Sequence, residues 1–110
     1  SAAAEEREKV HVFTHLSHLY PTGSSVYTSY VFRPSETAEK TLSRWQAMKT
    51  AASRAIVETG GTISHQHGVG TDHAPYLAAE KSAPGMEILR AVADAMDPEH
   101  RMNPGKLIEP

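Results

Sequence analysis

Between Gly60 and Gly70 the sequence reads Gly-Gly-Thr-Ile-Ser-His-Gln-His-Gly-Val-Gly. Two imidazoles, His65 and His67, flank the amide Gln66 inside a frame of glycines. An imidazole titrates near neutrality, passes protons, and in its protonated form binds anionic oxygen. If Thr62 to Gln66 runs extended, side chains alternate, so His65 and His67 share one face and Gln66 takes the other. The glycines after His67 remove side chains where a ligand or another backbone could come close. A single strand histidine is more often idle, and Gly-x-Gly alone is a weak motif. Two histidines in one glycine frame, with a second group elsewhere, point to a site.

The second group lies in His15-Leu-Ser-His18-Leu-Tyr20-Pro-Thr-Gly23-Ser-Ser-Val-Tyr27. His18 and Tyr27 flank a turn and could converge from adjacent strands. A phenol there can donate a hydrogen bond to a developing oxyanion. Should the Ile63 strand pair near this hairpin, His18, Tyr27, His65 and His67 would meet on one sheet face. Metal is the rival reading, since three or four histidines hold zinc or iron. No carboxylate or thiol stands inside either motif, and Gln66 is a poor ligand. Acid–base work or substrate contact therefore ranks above a metal site, which stays open at this point. His11 and His15 share the Phe13 face and read as solvated or satisfied by neighbours; His73 and His100 fall in polar bends and read as surface residues. Tyr20 and Tyr30 read as packing, as do Trp45 and Met48, the latter two against the hairpin.

The elements that must position these groups follow from periodicity. Val10 to Leu16 alternates as a half-buried strand, and Tyr20-Pro21-Thr22-Gly23 has turn chemistry. Ser25 to Arg33 is a second strand, so the two form an antiparallel hairpin. Pro34 ends it, and Ser35 is the expected N-cap of a long helix with Leu42, Trp45, Met48, Ala52 and Ile56 on its apolar stripe. Gly60-Gly61 closes that helix and opens the histidine strand. A short helix near Pro75 to Lys81 is expected next, then an interruption at Pro84-Gly85. A further amphipathic helix carries Met86, Leu89, Val92, Ala93 and Met96, and Asp97-Pro98 stops it. The tail ends on Leu107 and Ile108 as a last anchor. The expected fold class is α+β: a small antiparallel sheet with helices on one side. So short a sheet suggests part of something larger, or a chain that associates.

Composition narrows the function classes. The chain has 110 residues, 39% hydrophobic and 22% charged, with a net charge of −2, which suits one globular domain. No basic face invites nucleic acid, and no apolar run is long enough for a membrane span. Cysteine is absent and no signal-peptide pattern is visible, which fits a reducing compartment and an expected cytoplasmic location. Residues 1–9 are small and charged, read as a disordered or cloning-derived end without a role.

Three stretches in a fixed order carry a resemblance: Ser17-His18-Leu-Tyr20-Pro-Thr-Gly23 with Tyr27; Gly61-Thr-Ile-Ser-His65-Gln66-His67-Gly68-Val-Gly70; and Asp97-Pro98 through Met102-Asn103-Pro104-Gly105-Lys106-Leu107. Together they resemble the C-terminal end of FAD-linked oxidases of the vanillyl-alcohol-oxidase type, from about Val10 onward. The first two are most similar to the alkyl-dihydroxyacetonephosphate synthase branch, in which consecutive histidines precede Gly-Val-Gly. That resemblance implies that residues 10–110 are a segment of a ferredoxin-like cap, or substrate, domain whose FAD-binding domain lies N-terminal to it. It implies His18, Tyr27, His65 and His67 as catalytic groups, His67, Asn103 and Lys106 near the cofactor, and His15 and Gln66 as substrate contacts. The 2-hydroxy-acid dehydrogenase branch carries a Glu-His-Gly motif and two hairpin histidines that bind a divalent metal. Here Gln66 replaces the glutamate and Tyr27 stands at the second metal histidine, so the implied metal is none. Gln66 also departs from the synthase pattern of three histidines. The implied function is the substrate side of an FAD-dependent oxidoreductase acting on a hydroxylated or anionic small molecule, inactive by itself. The expected partners are its own FAD-binding domain and that substrate, with homo-oligomerisation left open. The rivals are a flavin-dependent ether-lipid synthase and a non-enzymatic histidine-rich module that binds metal or a partner.

Overall fold

The computed structural model describes residues 10–108. The expectation for residues 1–9 lies outside that range. The elements are β1 (His11–Tyr20), β2 (Gly23–Val31), α1 (Ala38–Glu58) and α2 (Gly70–Met96). The fold is a small α+β domain, with one antiparallel sheet of β1 and β2. The chain divides into two compact units, Ser1–Thr50 and Ala51–Pro110, with the boundary inside α1.

In the first unit the hairpin forms as its alternation and turn chemistry require. Pro21 and Thr22 make the connection, and β1 and β2 extend to its edges. Pairing runs in register from His11↔Val31 to Leu16↔Val26 and resumes at Leu19↔Ser24. Between those points Ser17 and His18 face the single residue Ser25, a β-bulge. The bulge shifts the parity of β1: Leu16 and Leu19 share a face although three positions apart. Both faces are open to solvent, with Phe13, Leu16, Leu19, Val26 and Tyr27 among the exposed large side chains. A lone two-stranded ribbon is marginally stable in water, and one with apolar residues on both faces requires covering by other chain segments.

Helix α1 begins later than expected. Thr37 is its cap, its hydroxyl accepting the Lys40 N–H at 3.3 Å. Ser35, the residue expected there, instead donates its own N–H to the Thr41 hydroxyl at 2.9 Å. Leu42 and Trp45 line a shallow groove with Phe32 and Pro34 at the end of the hairpin. Trp45 and Met48 are half-buried, and Leu42, the first residue of the apolar stripe, is exposed.

In the second unit α1 closes with a Schellman arrangement. Gly60 sits at φ +75°, its N–H bonds Val57 O at 3.0 Å, and Gly61 N–H bonds Ile56 O at 2.9 Å. The core of this unit is Ile63, Leu77 and Met86, with the Ser53 side chain also buried. Two expectations are corrected here. Residues 61–69 form a bent loop, not a strand. The two expected helices are one run from Gly70 to Met96, broken at Ser82 (φ 63°, ψ 169°) instead of at Pro84-Gly85. Pro84 is the cause: its ring crowds the carbonyl four residues back and restricts its predecessor, so the distortion falls upstream. After Met96, Asp97 accepts backbone N–H groups from Met102 at 2.6 Å and Arg101 at 3.1 Å, turning the tail.

Candidate functional site

The hairpin brings together two of the expected residues and carries a third, His18, in its bulge. His15 pairs directly with Tyr27, their ring centroids 5.1 Å apart and tilted by 33°. His18 stands in the bulge opposite Ser25, and Ser25 belongs to the Tyr27 face of β2. Simple alternation would have set His18 apart from His15; the extra residue cancels that separation. Bulges re-aim side chains in this way, often beside functional sites. His15, read from the residues alone as solvated or satisfied by neighbours, is exposed and in contact with the phenol it shares a row with.

In the second unit, His65 and His67 sit in the loop between α1 and α2. The expected sharing of one strand face does not hold, because no strand forms. Gln66 adopts φ 63°, the left-handed region that non-glycine residues seldom occupy. Ser64 explains the curl. Its hydroxyl donates to His67 O at 2.7 Å, lies 3.3 Å from Gly68 O, and stands 3.4 Å from His67 Nδ1. A serine that bonds the backbone three and four residues on competes with a strand ladder. The His67 ring is exposed and lies 6.0 Å from the ring of His73, in the first turn of α2. His73 was expected to be an ordinary surface residue. Only knowledge that α2 starts at Gly70, before the Asp72-His73 bend, would have revealed the pairing.

The loop is anchored at its base. Ile63 inserts into the core, and its N–H donates to the Glu80 carboxylate at 3.0 Å. The Thr62 hydroxyl donates to the same carboxylate at 3.0 Å. These bonds, Ile63 N–H foremost and then Lys81, hold the Glu80 carboxyl below its ordinary range despite partial burial. At the far end, Leu107 N–H reaches Gly70 O at 3.4 Å, which brings the Asn103–Leu107 tail to the last glycine of the histidine motif. Asn103 itself is left-handed at φ 49°, and Lys106 Nζ lies 3.5 Å from Pro104 O.

The glycines of this loop divide by physical role. Gly70 is required by its backbone, at φ +60°. Gly61 is required by space, since a Cβ there would stand 3.1 Å from Ile56 Cγ2. Gly68 is required by neither: its φ is ordinary and nothing lies within 4 Å of where a Cβ would stand. Beyond its chain neighbours His67 and Val69, nothing else crowds this point of the loop. One exposed imidazole (His67), a half-buried second (His65), a small glycine and a lysine-bearing tail suit contact with an anionic or hydroxylated molecule or with a flavin edge. Among the described residues, no group of three or more His, Cys, Asp or Glu could hold a metal ion.

Geometry and motif order together define a small α+β domain of flavin-linked enzymes. The chain belongs to the family of FAD linked oxidases, C-terminal domain, whose model matches residues 1–107. It is 29% identical over 97 residues to alkyldihydroxyacetonephosphate synthase from Dictyostelium discoideum, a match covering 88% of this chain and 16% of that protein. It is 43% identical over 62 residues to the glycolate oxidase subunit GlcD of Bacillus subtilis, covering 56% and 13%. It is 30% identical over 84 residues to the mitochondrial D-lactate dehydrogenase (cytochrome) of Arabidopsis thaliana, covering 76% and 14%. The chain thus spans about a sixth of the length of these relatives or less. No solved structure matches it. No described helix is long and apolar enough to cross a membrane.

Proposed function

We propose that this chain is the substrate-side segment of an FAD-dependent oxidoreductase acting on a hydroxylated or anionic small molecule, and that it is inactive alone. FAD, held on a separate N-terminal domain, would supply the electron acceptor. The observation that carries this reading is the loop of residues 61–70, where family membership coincides with an exposed His67 whose carbonyl and ring both lie against the Ser64 hydroxyl, beside a glycine. His67 holds or takes the substrate proton, and its carbonyl is fixed by Ser64. His65 and Gln66 contact substrate from the same loop. From the hairpin, Tyr27 donates a hydrogen bond to substrate oxygen, His15 supports the phenol, and His18 acts from the bulge. Asn103 and Lys106 lie toward the cofactor domain, a placement supported by the Leu107–Gly70 contact. A cysteine-free chain suits a cytoplasmic setting.

The test is anaerobic stopped-flow reduction of the flavin in the protein carrying its FAD-binding domain, with D-lactate, glycolate and D-2-hydroxyglutarate as probes. His67→Ala should slow reduction by about 10²–10⁴-fold, the range for a lost acid–base group. Reduction at the parental rate would remove the role.

A second reading, redox-neutral ether-lipid synthesis, is favoured by the extent of the synthase matches, which cover 88%, 96% and 86% of the chain. Bleaching of the bound FAD by an acyl ester of dihydroxyacetone phosphate, with no electrons delivered to an artificial acceptor dye, would select it. Dye reduction driven by a 2-hydroxy acid would select the first.

A further inference from the structure

We propose that Glu80 is the positioning residue of the histidine loop: its carboxylate, projecting from α2, grips Thr62 and Ile63 and so sets where His65 and His67 stand. The proposal rests on the assignment of those histidines to substrate chemistry. Glu80 sits in Ala78-Ala79-Glu80-Lys81, which reads as an ordinary solvated helix face. The structure gives it a different task. Oε1 accepts the Thr62 hydroxyl at 3.0 Å, while Oε2 accepts the Ile63 N–H at 3.0 Å and lies 3.1 Å from the same hydroxyl. Lys81 Nζ donates to Oε1 at 3.0 Å from the neighbouring position.

The Ile63 N–H lies outside any helix or strand ladder, so it must find its partner elsewhere. A carboxylate is the strongest partner a side chain offers a backbone donor. Ile63 is therefore held twice, by an apolar side chain 6% exposed in the core and by a charged acceptor on its backbone. The very next residue, Ser64, fixes the His67 carbonyl. From Glu80 to His67 the path is one ionic hydrogen bond, one peptide link and one hydroxyl hydrogen bond. Thr62 and Glu80 are 18 residues apart, so the contact also closes α2 onto the segment that precedes it. Loose support is a common way for a site to be present yet unproductive, and 1 Å of displacement is enough.

The experiment uses the protein with its flavin domain and two readouts. In hydrogen exchange, Glu80→Ala should speed exchange at the Ile63 amide by about ten- to a hundredfold, the worth of a hydrogen bond to a charged group. Exchange in residues 86–96 of α2 should stay unchanged. In flavin reduction by D-lactate or glycolate, Glu80→Ala should be slow. The double variant with His67→Ala should be slower than His67→Ala alone by less than the Glu80→Ala factor, because part of the Glu80 effect runs through His67 and the rest through His65. Glu80→Gln, which keeps one acceptor oxygen and the side-chain volume, should recover most of the Ile63 protection. Unchanged exchange at Ile63 overturns the proposal. So does a uniform rise across the whole unit, or full additivity with His67→Ala. If His67→Ala by itself leaves flavin reduction intact, the functional reading falls, and the exchange data still decide whether Glu80 holds the loop.

Discussion

Gly68 offers the sharpest separation of folding from function. Its backbone is not left-handed, and a methyl group placed on it meets nothing within 4 Å. Gly68→Ala should therefore fold without strain, and by narrowing the unfolded ensemble it should add ~0.4–1 kcal/mol of stability. The new Cβ projects about 1.5 Å from the backbone, at the residue next to His67 in the chain. If a ligand or flavin edge packs there at contact distance, it must retreat by a comparable amount. A misplacement of about 1 Å can cost on the order of 10²-fold in rate. The assay pairs thermal unfolding with anaerobic flavin reduction in the same preparation. The expected result is an unfolding midpoint equal to or above the parent and a reduction rate lowered by one to two orders of magnitude. A variant that melts lower would show that the loop backbone is misjudged. One that reduces its flavin at the parental rate would show that nothing approaches this glycine.

The remaining predictions concern the same loop and its frame. Gly60→Ala places a Cβ in the left-handed cap of α1 and should cost ~1 kcal/mol in chemical denaturation, while Gly60→Asn, better tolerated at such a cap, should cost less. Glu80 has a carboxyl held below its ordinary 4.5, chiefly by the Ile63 N–H and then by Lys81. Its stabilising contribution is therefore complete above pH ~4.5 and is lost as pH falls through the lowered folded value. Protection of the Ile63 amide should be flat from neutrality to that point and fall below it. A protection curve with its midpoint near neutrality would implicate a histidine instead. Gln66→Gly should relieve the left-handed strain but widen the unfolded ensemble at a cost of ~0.4–1 kcal/mol, so its net gain should stay under ~1 kcal/mol, readable as a denaturation midpoint at or slightly above the parent.

The hairpin was legible because strict alternation and a Pro-Thr-Gly turn admit little else. The bulge inside it was not, since Ser17 and His18 carry no signature that distinguishes a bulge from continued alternation. The loop after α1 was legible as a site and misread as a strand. Thr62 and Ile63 have strand propensity, but Ser64 offers the backbone a closer partner than any ladder, and Gln66 turns out of the extended region. The second half of α2 could be read from apolar spacing; the first was expected only from about Pro75, five residues after its start at Gly70. The place of its break could not, because a proline limits where a helix distorts only to the turn before it. Glu80 went unnoticed for a plainer reason: its partners lie 17 and 18 residues away, beyond any local pattern.

The residue inserted at Ser17–His18 has a consequence for how the hairpin could be edited. Removing Ser17 would leave every other rung intact, because Leu16↔Val26 and Leu19↔Ser24 would then be joined through a single His18↔Ser25 rung. The shortened ribbon would be the better-made one, straighter and with one more closed rung. What it would change is the angle at which the His18 imidazole leaves the backbone. Stability and aim are set by separate atoms at this point of the chain, so a one-residue deletion can exchange one for the other.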